Sequence, residues 1–257
     1  PADNLKIPNG AALYIAKVGQ PIGMMYGALT DGLYQYEDFR KGSDGSWILR
    51  DDVVSQSTHA NRKGVFPGYQ KFKDLNGDLQ ITQEDLTIIG NPNPDFTGGI
   101  TNTFRFYNFD MSLFFTFSYG NDILNMNRYY LEEGRSLSSN QFASYADRWT
   151  VDNPNGKLPR ARSANNTAWG SDRYVEDGSY LRLKNLNIGY TLPIQVSQRF
   201  FVSNMRIYFS AQNLFTVTGY SGQDPTVSTM SNARTPGYDY SAYPVPRTFI
   251  FGAQISF

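Results

Sequence analysis

Alternation of apolar and polar positions marks the clearest elements of the chain. In "NFDMSLFFTFSYGND" (108–122), Phe109, Met111, Leu113, Phe115, Phe117 and Tyr119 share one side of an extended chain. Asp110, Ser112, Thr116, Ser118 and Gly120 share the other, with Phe114 the only large apolar residue among them. Successive side chains of a strand point to opposite faces, so this period of two predicts a strand with one apolar and one polar face. "MRIYFSAQNLFTVTG" (205–219) repeats the pattern through Met205, Ile207, Phe209, Ala211, Phe215 and Val217, interrupted at Asn213. "TFIFGAQISF" (248–257) repeats it through Phe249, Phe251, Ala253, Ile255 and Phe257.

Weaker strands are expected over 97–107, joined to the first by a tight turn, and over 179–193. The polar face of the latter is basic through Arg182 and Lys184 unless its register shifts midway. "ALYIAKV" and "MMYGALTDGLYQY", separated by "GQPIG", predict one more hairpin. The expectation is an all-β chain of about seven antiparallel strands with one short helix over 140–150, where Phe142, Tyr145, Ala146 and Trp149 have helical spacing.

Two architectures fit such strands. A soluble sandwich hides the apolar face in a core, whereas an outer-membrane barrel turns it to lipid and keeps the polar face in its lumen. The connections favour the barrel: 37–96, 126–178 and 220–246 are long and rich in Asn, Ser, Gly and Pro, the others are short or moderate, and strict strand alternation puts all the long ones at one end. By that count the long segments lie outside the cell, and 107–108 and 193–203 inside.

Composition adds exclusions. The 257 residues carry 23 Lys+Arg against 23 Asp+Glu, so charge gives no argument for nucleic acid or an anionic surface. With no Cys, disulfides, thiolate metal sites and cysteine nucleophiles are out. Mean hydropathy is negative and no apolar run approaches the roughly 18 residues of a membrane helix. A membrane barrel shares both traits, because its lipid face occupies only alternate positions.

"KFKDLNGDLQITQEDLTIIGNPNPDFTGGITNTFRFYNFDMSLFFTFSYGNDILN" (71–125), "DRYVEDGSYLRLKNLNIGYTLP" (172–193), "RIYFSAQNLFTVTGYSGQDP" (206–225) and "GYDYSAYPVPRTFIFGAQISF" (237–257) resemble the C-terminal quarter of SusC/RagA-type TonB-dependent transporters. Phe257, with Ile255 and Gly252 before it, resembles the C-terminal signal of outer-membrane barrels. The resemblance implies that 1–257 is the C-terminal portion of a transmembrane β-barrel, 22-stranded in the full family protein, in the outer membrane of a Gram-negative bacterium. It further implies uptake of oligosaccharides or peptides beneath a SusD-like surface lipoprotein, driven by TonB. The plug and the remaining strands would lie outside these residues, since about seven strands leave two open edges.

One constellation carries metal chemistry. Asp74, Asn76, Asp78, Gln80, Thr82 and Asp85 of "DLNGDLQITQED" fall at positions 1, 3, 5, 7, 9 and 12, the spacing with which an EF-hand loop surrounds Ca²⁺. A structural Ca²⁺ is the expectation. Two departures oppose it: Asp85 replaces the bidentate Glu, and Leu79 stands where Gly makes the sharp turn. The alternative is a turn whose Asp and Asn side chains cap their own backbone.

Trp149, Trp169 and Tyr145 are candidates to stack on a substrate at the barrel mouth, against loop packing or an interfacial girdle. An enzyme is not expected. His59 is the only histidine, Glu132, Glu133, Asp147 and Asp152 show no fixed spacing, and "FTGGI" lacks the Lys-Ser/Thr of a phosphate loop. A secreted soluble β-sandwich that binds carbohydrate remains the other reading of the alternation and the aromatics.

Overall fold

The computed structural model describes residues 4–9, 12–56, 62, 64–132, 134, 139–161, 170–229 and 232–257. The chain divides into two compact units. The first comprises Pro1–Pro92, Ile123–Glu176 and Val227–Ser241, and the second Asn93–Asp122, Asp177–Thr226 and Ala242–Phe257.

In the first unit, strands β1 (Asn4–Asn9), β2 (Ala12–Lys17), β3 (Met24–Ala28) and β4 (Leu86–Gly90) form an antiparallel sheet in that order. β2 and β3 are the expected hairpin, pairing Leu13 with Tyr26, Tyr14 with Met25 and Ile15 with Met24. Most of the remainder is loop with its own small cores. Tyr34, Phe39, Leu49 and Val65 form one, and Ala28, Phe72, Ile81 and Leu86 another. The largest joins Tyr14 and Met25 to Leu124, Met126, Tyr129, Tyr174 and Tyr238. Residues from three distant parts of the sequence thus bury one surface, which holds the long segments in defined shapes.

Charges complete this packing. Arg128 Nε donates to Glu132 Oε2 at 2.9 Å and its Nη1 to Glu176 Oε1 at 3.3 Å. Ser144 Oγ donates to Glu132 Oε1 at 2.6 Å, so the buried Glu132 carboxylate is satisfied on both oxygens. The helix lies here, α1 (Met126–Leu131), which buries Met126 and Tyr129 and gains the Arg128–Glu132 pair one turn apart. The span 140–150 holds only a 3₁₀ helix, Ala143–Asp147, with Phe142 rather than a capping residue before it.

The second unit is an antiparallel meander of β5 (Phe96–Phe106), β6 (Phe109–Tyr119), β7 (Tyr180–Thr191), β8 (Asn204–Thr218) and β9 (Thr248–Ser256), each strand beside the next in sequence. Five of the expected strands therefore share one sheet, while β2 and β3 belong to the other unit. Connections alternate in length around the meander. Tyr107–Asn108 and residues 192–203, with a short helix α2 (Ile194–Ser197), close one end, and residues 120–179 and 219–247 leave from the other. The 11 residues of β6 rise about 3.3 Å each, and at a tilt near 45° they cover about 25 Å, the height of the apolar band of a membrane barrel.

Register explains both irregularities in the alternation. Phe115 pairs with Leu183 but Phe114 with Asn185, so Lys184 is an extra residue on β7. Without it Leu181 and Leu183 would face away from Leu186 and Ile188. With it all four meet the apolar side of β6. On β8, Asn213 and Leu214 oppose the single Lys184, and Asn213 takes φ +51°. Asn tolerates this left-handed conformation better than most residues, and its Nδ2 donates to the Pro246 carbonyl at 3.1 Å.

Candidate functional site

The register sorts the five strands into two faces of opposite chemistry. Phe104, Met111, Ile188, Phe209 and Phe251 lie in one row across the apolar face, Phe104, Met111, Ile188 and Phe209 by successive pairing and Phe251 opposite Phe209. Next along the polar face run Arg105, Asp110, Gly189, Tyr208 and Gly252. The apolar face is largely bare: Phe104 is 53% exposed, Phe109 54%, Phe249 55% and Phe251 81%. Aromatic pairs lie toward both strand ends, Phe109 with Tyr190 at 4.5 Å and Phe96 with Tyr119 at 5.2 Å.

The polar face carries two ion pairs. Arg206 on β8 grips Asp110 on β6 with both arms of its fork, Nη2 to Oδ2 at 2.5 Å and Nε to Oδ1 at 3.1 Å. To do so it crosses β7 at Gly189, where a Cβ would collide with the guanidinium. Tyr208 likewise lies over Gly252 of β9. These glycines make room for large polar side chains flat against the wall. Around the pair, Arg105, Tyr107, Asn108, Asp110, Thr191 and Arg206 border a cavity of about 550 Å³.

Nearer the other end, Arg182 donates from Nη2 to Asp224 Oδ1 at 2.8 Å and from Nε to Thr216 Oγ1 at 2.9 Å. Asp224 also accepts from the Thr226 N–H at 2.8 Å and hydroxyl at 2.6 Å. Burial pushes the Asp224 carboxyl up, but the bonds from Arg182 and Thr226 outweigh it and hold the group below its ordinary range. Both side chains are buried, so the segment after β8 is tied to the polar face.

Within the first unit, the Asp74–Asp85 loop is closed by its own side chains. Asp74 Oδ1 accepts from the N–H groups of Gly77 at 2.6 Å and Asn76 at 3.2 Å, and Oδ2 from Leu79 at 2.7 Å. Asp78 Oδ1 accepts from Gln80 N–H, and Asn76 Oδ1 from Asp78 N–H. Asp85 is fully buried, accepting from Leu75 N–H at Oδ1 and from Thr82 N–H and hydroxyl at Oδ2. Desolvation raises the Asp74 carboxyl and is outweighed by the backbone donors, which leave it lowered. Leu79 does take the left-handed turn, at φ +62°, a conformation that costs a non-glycine about 1–2 kcal/mol.

The loop brings Asp74, Asn76, Asp78 and Gln80 together, but Asp85, at the twelfth position, engages both oxygens with backbone and Thr82. These are the bonds of a self-capped turn, and among the described residues no three His, Asp or Glu side chains gather in a metal-holding group. The donor set as arranged does not offer an ion the bidentate ligand that the spacing suggests.

The aromatic candidates separate. Trp149 is 3% exposed, packed against Tyr36 at 5.6 Å with Nε1 donating to Gln35 Oε1 at 3.2 Å, so it packs the loop. Tyr145 is partly buried in the 3₁₀ helix. Trp169, His59 and Glu133 lie outside the described residues. Neither ion pair on the polar face follows from the sequence, because Asp110 and Arg206 meet only through strand register and Arg182 meets Asp224 only through the path of the segment after β8. The signal was faint: Asp110, Arg182 and Arg206 at polar-face positions, each beside a glycine or threonine on the next strand.

No protein-family model matches the chain. It is 36% identical over 98% of its length to TonB-dependent receptor P3 of Formosa agariphila, covering 25% of that protein. It is 26% identical over 72% of its length to TonB-dependent receptor SusC of Bacteroides thetaiotaomicron, covering 17% of it. A solved structure of the RagAB peptide transporter superposes with a TM-score of 0.68 at 24% identity, over 99% of this chain and 24% of that one. That likeness shows the fold. The chain spans about a quarter of the length of TonB-dependent receptor P3. It belongs to the SusC/RagA-type TonB-dependent receptors and is a segment of their β-barrel.

Proposed function

We propose that this segment supplies part of the wall and outer loops of an outer-membrane importer that takes up oligosaccharides or peptides with a SusD-like lipoprotein, energised through TonB. The observation that carries the reading is the two-faced meander. A continuous bare apolar face far exceeds the scattered surface residues of a soluble monomer. The opposite face concentrates charge in ion pairs, as suits a water-filled lumen. No helix among the described residues is long and apolar enough to cross a membrane, so strands would do the crossing. A soluble carbohydrate-binding sandwich is disfavoured, because the apolar side of these strands has no second sheet over it within the unit.

The named relatives support the transport class, and the RagAB structures lend the peptide alternative its weight. The edges β5 and β9 would pair with the remaining strands of the barrel. Fractionation of cells producing the whole receptor tests the reading. It should remain in the outer membrane, show heat-modifiable gel mobility, and support substrate uptake only when TonB is present. Solubility without detergent would overturn it.

A further inference from the structure

Two arginines of the first unit share one small cavity. Arg148 and Arg160, with Trp149, Thr150, Val151 and Ala161, line a cavity of about 270 Å³. Each cation is held flat by a ring, Arg148 over Tyr145 at 5.1 Å and Arg160 over Trp149 at 5.6 Å. Each gives one arm to a backbone carbonyl, Arg148 Nη1 to Tyr145 at 3.4 Å and Arg160 Nη1 to Pro67 at 3.1 Å. A guanidinium carries five N–H donors, so most of both forks stay available. Among the described residues neither arginine forms an ion pair, although Asp147 and Asp152 lie close in sequence.

The mounting is rigid. Trp149 N–H donates to the Leu158 carbonyl at 2.7 Å and Arg160 N–H to the Gly68 carbonyl at 2.8 Å, so a backbone ladder fixes the spacing of the two arginines. Trp149 is wedged over Gly68, where a Cβ would run into its indole. Oriented planar forks beside an indole, Val151 and Ala161 suit a carboxylate attached to a compact, partly apolar residue.

We propose that Arg148 and Arg160 form a subsite for the carboxylate of an incoming substrate, carried either by a uronic acid unit or by a peptide. The proposal rests on the importer reading, and it narrows the substrate to acids. A pocket of this volume takes one monomer unit, so the subsite grips an end or a single residue rather than a whole oligomer.

Calorimetric titration of the detergent-purified whole receptor with four probes tests it: trigalacturonate, its methyl ester, trialanine and trialanine amide. One acid should bind at least tenfold more tightly than its neutral partner, and the pair that shows the preference identifies the source. R148Q and R160Q should each abolish most of that preference and leave the neutral probe unchanged. The double variant R148K/R160K keeps the charge and tests the fork: it should fold normally and still lose most of the preference. Equal affinities within both pairs, no binding of any probe, or a preference surviving in both Gln variants overturns the subsite. TonB-dependent uptake of a neutral oligomer by the Gln variants would stand regardless, which separates failure of the subsite from failure of the importer reading.

Discussion

Phe115 sits one residue from the middle of β6, opposite Ile100 and Leu183 on the apolar face. Replacing it with Arg puts a guanidinium near the depth where a lipid-facing cation costs about 2–4 kcal/mol. Loss of the two cross-strand apolar contacts adds about 0.2–1 kcal/mol each. The total, about 2.4–6 kcal/mol, lowers the folding equilibrium constant at least about fiftyfold at 1.4 kcal/mol per tenfold. The control must lie on the other face at similar depth. Ser118 serves poorly, because it is buried and its hydroxyl donates to Asn121 Oδ1 at 2.7 Å. Ser112, between Thr103 and Asn187, is half-buried and serves better. Urea titration of whole receptor folded into lipid vesicles should show Phe115→Arg shifted well below the unmodified protein and Ser112→Arg shifted much less, since a lumen position bears no cost of placing charge in lipid. Equal losses would refute the face assignment, and a larger loss at Ser112 would invert it.

Further tests follow from the ion pairs, the loop and the connections. Gly189→Ala should displace Arg206 from Asp110 and cost about 1–3 kcal/mol by overpacking, read in the same titration. Arg182→Leu leaves the buried Asp224 carboxylate uncompensated and should cost about 3–5 kcal/mol, with new protease cleavage after β8. Because the folded state lowers the Asp224 pKa, its contribution is complete above the unfolded value of about 3.9 and declines as pH falls through the folded one, so cleavage in the unmodified receptor should rise only on acidification. Asp74→Ala, which removes the acceptor for three N–H groups, should open 74–85 to protease with or without millimolar Ca²⁺, while Ca²⁺-dependent protection of the unmodified loop would favour an ion over the self-capped turn. A cysteine at the exposed Gln223 should react with an impermeant thiol reagent on whole cells and one at Gln198 should not; the reverse pattern would invert the topology.

The sheet was legible because its physics is local. A period of two needs only the chain itself, and the strands over 108–122, 205–219 and 248–257 emerged within three residues of their observed bounds. The option of a midway shift in 179–193 was legible too, since Leu181 and Leu183 are out of phase with Leu186 and Ile188. The loops were not. Their largest core joins Tyr14, Leu124 and Tyr238, which no sequence window contains, and α1 is held by burial and the two ion pairs of Arg128 instead of a capping signal. The EF-hand spacing is ambiguous for a related reason. Asp and Asn at alternate positions suit an ion and suit their own backbone N–H groups equally well, and only the position of Asp85, buried beneath the loop, separates the two.

The same local physics explains why the irregular residues of the sheet lie where they do. A strand with one face toward lipid cannot change phase without exposing polar groups there, so any shift needed to fit its neighbours must be taken up by an extra residue. Lys184 takes it up on β7, and Asn213 and Leu214 answer it on β8. The opposite face works under a looser rule. There Gly189 and Gly252 give up side chains so that Arg206 and Tyr208 can lie against the sheet, and Arg206 thereby reaches past a whole strand to Asp110. A wall built this way holds its charges close to the backbone, in pairs, and leaves the space in front of it open.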